Sequence, residues 1–243
     1  MASSAYTFLS FIFFTIFLSF GSYKAEARRY SGISSLVSRG LFDSIFLHKD
    51  NIACPAKDFY TYSSFIQASR FFPQFGRTGS SIARKREVAA FLAQISHETT
   101  GGGPALRANP TKEEDLFNYH GITITDRQAR PLGFDGLNSP DIVSNNSLIA
   151  FKTALWFWMT AQSPKPSCHN VMIGKYKPTA ADVKANRTAG YGLVTNIING
   201  GLECGIPNDG RVSDRIGFFQ RYATLFNVST GSNLDCENQK PFS

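Results

Sequence analysis

Phe91-Leu92-Ala93-Gln94-Ile95-Ser96-His97-Glu98-Thr99-Thr100-Gly101-Gly102-Gly103 is the stretch that decides how this chain folds. Extended back to Val88, its apolar residues Val88, Phe91, Leu92 and Ile95 recur at i, i+3, i+4 and i+7, which predicts a helix with one buried stripe. Three residues past Ile95 the stripe reaches Glu98, so a carboxyl arrives on the apolar face in the last turn. The triple glycine behind it suits a C-terminal cap. Burial and the negative end of the helix dipole both favour a neutral acid over a carboxylate, and a neutral carboxyl is what a proton donor requires.

Outward from this helix, the N-terminal side offers Ser80 or Ser81 as a cap. Arg84, Lys85 and Arg86 fill the first turn, where the dipole disfavours cations, so tertiary packing must hold the helix. Helical spacing is predicted for residues 60–72, ending before Pro73, and for residues 32–46, where Val37, Leu41, Phe42 and Ile45 share a face. On the C-terminal side, residues 104–130 are polar and read as an irregular loop. Residues 148–159 are apolar on nearly every side and predict a central buried helix. Its Trp156 and Trp158 point to nearly opposite sides and cannot both serve one groove.

Ser163-Pro164-Lys165-Pro166 ends that helix, and the following stretch to Gly192 reads as irregular. The apolar run from Val194 closes on Gly200-Gly201, which places Asn199 and Glu203 beside tightly packed backbone. A last helix carries Val212, Ile216, Phe219, Ala223 and Phe226 on one face, with Arg215 at its boundary. About five helices, few strand signals and no internal repeats make the fold mainly α.

The chain has 243 residues and a formal net charge of +7, compatible with acidic polymers or with a solvated basic surface. Its Lys and Arg residues are scattered and carry no nucleic-acid-binding signature. Residues 8–20 form an apolar core followed by Ala25-Glu26-Ala27, the pattern of a signal peptide cleaved after Ala27 and too short for a membrane span. The expectation is a secreted protein with no membrane attachment after cleavage. Four cysteines, Cys54, Cys168, Cys204 and Cys236, allow three pairings in an oxidising compartment. His97-Glu98 is not a zinc-protease motif, because residue 101, where the second histidine would fall, is Gly. Neither metal nor cofactor is expected.

The segments 54–62, 89–102, 151–159, 195–205 and 214–218 resemble, in order, those of the plant endochitinases of glycoside hydrolase family 19. No cysteine precedes Cys54, so the resemblance is to the catalytic domain without a cysteine-rich chitin-binding module. It implies a lysozyme-like, bilobal helical fold with a central cleft over residues 28–243. It also implies a monomer that hydrolyses β-1,4-linked N-acetylglucosamine polymers with inversion. Such chemistry uses one carboxyl to protonate the leaving oxygen and a second to activate water. The resemblance makes Glu98 the general acid, with Glu203 and Arg215 in its charge network and His97, Lys165 and Asn199 lining or supporting the sugar subsites. An Arg between two carboxylates lets both carry charge. It further implies one disulfide, Cys204 to Cys236, with Cys54 and Cys168 left as thiols. Closing a loop of that length stabilises by about 3 to 4 kcal/mol on the chain-entropy model.

The departure lies at residues 104–127. There the family carries its second Glu, a cysteine pair and an Asn-Tyr-Asn-Tyr-Gly sugar-binding motif, none of which is present. The base would fall near His120, and Glu113 and Glu114 have no matching context. Hydrolysis is therefore expected to be weak, and the alternative is a protein that binds chitin or wall glycans without cutting them. An altered transcript would produce so abrupt a junction, and sequencing the transcript across it decides whether the segment is genuine.

Overall fold

A computed structural model describes residues 32–47, 49–50, 52, 54, 56–99, 132–134, 138–139 and 141–242. Among the described residues the regular structure is a short 3-10 turn, Ile33–Ser35, and nine α-helices. These are α1 (Arg39–Ile45), α2 (Tyr62–Ser69), α3 (Ser81–Glu98), α4 (Ile142–Asn145), α5 (Ser147–Met159), α6 (Cys168–Met172), α7 (Ala180–Lys184), α8 (Tyr191–Glu203) and α9 (Gly210–Leu225). The expected signal peptide and the segment 104–127 lie outside the described residues.

Local sequence sets most of the starting points. Ser38, Thr61, Ser80, Asn146, Ser167, Thr179 and Asp209 each accept a bond from a first-turn N–H of the helix that follows. One consequence is a correction to the reading of residues 32–46 as a single helix, because the Ser38 cap separates the 3-10 turn from α1. A second concerns the stretch before Gly192, read as irregular, which holds α6 and α7. The α7 start is a complete capping box between Thr179 and Asp182.

The frame is built on α3. Val88, Phe91 and Leu92 are buried as the stripe predicts, but Ala89, Ala90 and Ala93 are equally inaccessible, so the middle of the helix is covered on more than one face. Those alanines let neighbouring helices approach closely. Phe91 meets Phe75 at 5.0 Å and Trp158 at 5.4 Å between ring centroids, and Phe65 bridges to Phe151 at 5.5 Å. Both Trp156 and Trp158 are buried.

Helices α3 and α9 pack antiparallel. The cations near the start of α3 reach carbonyls just past the end of α9, with Lys85 Nζ donating to Phe226 O at 3.3 Å and Arg86 Nε to Ser229 O at 2.7 Å. Cations that oppose the dipole of their own helix thus complement the negative end of its neighbour. At the far end, Glu98 meets Arg215.

A second polar contact fastens α3 from within. Glu87 is fully buried, and its carboxylate accepts from Gly76 N at 3.0 Å and from Trp158 Nε1 at 3.2 Å, with His169 Nδ1 at 2.5 Å. One side chain thereby joins α3 to the preceding loop, α5 and α6. Removing the acceptor leaves three buried donors unanswered, each at about 1–3 kcal/mol. Glu87→Ala is expected to lower unfolding free energy by more than about 3 kcal/mol in urea, and Glu87→Gln, which keeps the volume and one acceptor oxygen, by clearly less. Equal losses would show that shape, not hydrogen bonding, sets the cost.

Candidate active site

Three helix ends converge on one guanidinium. Glu98 is the last residue of α3, Glu203 the last of α8, and Arg215 lies in the second turn of α9. The sequence places Arg215 at the edge of an apolar stripe, but the structure buries it completely. Its Nε and Nη2 donate to the two oxygens of Glu203 at 2.8 and 2.7 Å. Nη2 also pairs with Glu98 Oε1 at 2.6 Å, and Nη1 donates to Gln94 Oε1 at 2.6 Å. The fork geometry of Arg suits this bidentate grip on a carboxylate.

Burial alone would push the Glu203 carboxyl up, but the bonds and charge of Arg215, helped by Asn199, outweigh it and hold the group below its ordinary 4.5. Burial likewise opposes the charge of Arg215, and the two carboxylates reverse that effect, so its pKa is raised. Asn199 Nδ2 donates to Glu203 Oε1 at 2.6 Å from a position where α8 leaves helical geometry, at φ −138° and ψ 30°.

Exposure separates the two acids. The Glu203 side chain is 1% exposed and that of Glu98 27%, so Glu98 is the carboxyl of this cluster that an incoming molecule can touch. The expectation of a buried Glu98 is thus only partly met. A cation lies beside it, opposing the negative helix end.

The remaining predicted residues surround this core. His97 Nδ1 lies 2.6 Å from Asp214 Oδ2, so the consecutive residues His97 and Glu98 pair with the consecutive residues Asp214 and Arg215. Lys165 closes a tight turn with Gln162 and donates from Nζ to Ile197 O at 2.9 Å, beside the bend in α8, while burial lowers its pKa. Cys204, directly after Glu203, is joined to Cys236, and Cys54 and Cys168 are buried free thiols. Glu113, Glu114 and His120 lie outside the described residues.

Sequence reading missed Gln94, Thr195 and Asp214. Gln94 is 2% exposed and links Arg215 to Thr195 Oγ1, which accepts from its Nε2 at 3.2 Å. Its signal was available, since a polar residue one turn before Glu98 falls on the covered side of α3. Asp214 had no signal beyond its place next to Arg215. Among the described residues no group of three His, Cys, Asp or Glu could hold a metal ion, and no helix is long and apolar enough to cross a membrane.

The sequence pattern of the glycoside hydrolase 19 family, described as chitinase class I, matches residues 36–120 and 116–236. This chain belongs to the family 19 chitinases. It is 51% identical to chitinase 10 of Oryza sativa subsp. japonica over 262 aligned positions, covering 90% of each chain. That alignment is longer than the 243 residues of this chitinase-family chain, so the rice relative carries residues lacking here. A bacterial family 19 chitinase of known structure is 31% identical with a TM-score of 0.62, covering 83% of this chain and 100% of its own. The class IV chitinase of Zea mays is 28% identical with a TM-score of 0.61, covering 84% and 100%. The mainly helical architecture is therefore the lysozyme-like fold of this chitinase family.

Because the folded Glu203 carboxyl is held below 4.5, its contribution to stability is fully present above that value and is lost as pH falls through the folded pKa. Glu203→Gln should cost about 3 kcal/mol at pH 7 by leaving Arg215 underpaired. The Tm gap between wild type and this variant is expected to narrow progressively below about pH 4.5. A gap that stays constant from pH 7 to pH 3 would contradict the assignment of charge to Glu203.

Proposed function

We propose that this chain is a secreted endo-acting chitin hydrolase in which Glu98 is the general acid and the water-activating step is impaired. The observation that carries the reading is the contrast between Glu98, open to solvent, and Glu203, sealed behind Arg215. Glu98 delivers its proton to the glycosidic oxygen, and Arg215 stabilises the carboxylate left behind. Glu203 and Gln94 fix the guanidinium so that it need not move when that charge appears. Asn199, Lys165 and His97 border the sugar subsites or support them. The substrate is a chitin or N-acetylglucosamine oligomer bound by a monomer, and membership of a chitinase family supports a role in defence against fungi.

The weak point is the base. Glu203 is not available to activate water, because both its oxygens bind Arg215, and Asp214 is engaged by His97 at Oδ2. Loss of general-base assistance costs roughly 10²- to 10⁴-fold in rate. The family match comes in two pieces that overlap at residues 116–120 and together run through 104–127, so that segment is not, as expected, wholly unrelated to the family. The doubled match and the extra residues of the rice relative support a shortened segment where the family base would stand. The same observations favour a second reading, a chitinase-like protein that binds chitin oligomers or wall glycans without cleaving them.

Chitohexaose separates the two. Slow product release is expected from the wild type, with the α-anomer appearing first by NMR, and none from Glu98→Gln, while oligomer binding survives the substitution within a few-fold. If neither protein releases product and both bind equally, the binding reading replaces the hydrolase. No saturable binding at millimolar oligomer would overturn both.

A further inference from the structure

Helix α8 presents two parallel rows of residues spaced four apart. One row, Tyr191, Thr195, Asn199 and Glu203, faces the Arg215 cluster. Tyr191 OH donates to Arg215 O at 3.1 Å, Thr195 accepts from Gln94, and Asn199 and Glu203 meet each other. The adjacent row, Gly192, Asn196, Gly200 and Cys204, is turned toward the carboxyl-terminal segment, residues 233–242. Gly192 N donates to Asn233 O at 2.9 Å, and Cys204 is bonded to Cys236.

The centre of this second row is Asn196, which is fully buried. Its Nδ2 donates to Gln239 Oε1 and to Lys240 O, both at 3.2 Å, and its Oδ1 accepts from Phe242 N at 3.3 Å. Three of the four hydrogen bonds one amide can make are thus directed at the tail. The same Oδ1 occupies the space a side chain on Gly200 would need, since a Cβ there would lie 2.2 Å from it. Gly192 is closed to any side chain for a similar reason, with the Asp235 carbonyl oxygen 1.7 Å from where its Cβ would be. The departure from helical geometry at Asn199 falls between Asn196 and the disulfide at Cys204. The far end of the tail is fastened independently, by Lys240 N to Ala185 O at 2.9 Å and by Arg187, which donates to Pro241 O and covers the Phe242 ring at 4.1 Å.

We infer that the carboxyl-terminal segment is a strap that fixes the bend of α8, and that Asn196 is the positioning residue through which it holds Asn199 against Glu203. A helix left to itself closes its hydrogen-bond ladder. The strap opposes this by binding α8 at both ends and in the middle, on the row next to the one that meets the cluster. The consequence for sugar binding rests on the function proposed above, whereas the placement of Asn199 does not.

Two variants of the full chain test the inference: Asn196→Ala, and a chain ending at Gln239, which loses Lys240 and Phe242 but keeps Cys236 and its disulfide. The first readout is the Asn199 side-chain amide resonance in ¹⁵N NMR, whose position reports the bond to Glu203. It is expected to shift in both variants, with chitohexaose affinity falling about tenfold. An Asn199 resonance unmoved in both, whatever happens to Tm, would reduce the strap to a structural cover and overturn the proposal. If Asn196→Ala does not fold, the shortened chain decides alone. If the wild type binds no chitohexaose, the functional reading fails, and the resonance still settles the positioning role.

Discussion

A guanidinium with no surface in contact with water has to be met by acceptors on every edge, because an unpaired buried charge is far more costly than any single contact in a domain of this size. Arg215 meets that requirement with Glu203, Glu98 and Gln94. These acceptors come from the ends of α3 and α8, and neither end can drift without exposing the charge. The active cluster is therefore part of the folding problem of the molecule. The same residues that would handle a proton lie where α3 and α8 stop.

Helix α3 carries two such polar knots. Glu87, near its start, is wholly enclosed and ties the helix to α5, α6 and the loop at Gly76. Glu98, at its end, is tied on one side and open on the other. Between them lie alanines and Phe91 under close packing. The two ends of a single helix thus differ: the inner carboxylate is sealed on every side, and the outer one is held by a cation while still meeting solvent. Fastening α3 at Glu87 limits how far Glu98 can shift relative to Arg215.

Much of the fold was legible in the sequence, and what was missed has physical causes. The stripe from Val88 to Ile95 marked α3, and Ser80 or Ser81, of which Ser80 is the cap, marked its start, because periodicity over many residues and a local cap are both written in neighbouring letters. Helices α6 and α7 have five residues each, too few to display a period, although the Thr179 and Asp182 capping box was present to be read. Arg215 looked peripheral because its cover comes from α3 and α8, distant in sequence. For the same reason Asp214 and the inner role of Glu87 could not be anticipated. Gln94 could have been, as a polar residue on a face that had no room for an idle one. The directions of Lys85 and Arg86 made sense only once the end of α9 was beside them.

The two unpaired cysteines bear on how the molecule reaches this state. Cys168 is completely enclosed and Cys54 nearly so, and burial pushes the Cys168 thiol up, leaving almost no thiolate to react. While the chain is still open, however, all four sulfurs can compete, and of the six cysteine pairs that could form a single disulfide only Cys204 with Cys236 is native. Correct oxidation is then a race between collapse of the helical core and the arrival of an oxidant. Packing acts as the protecting group for two sulfurs while the other two, at Cys204 and Cys236, are joined.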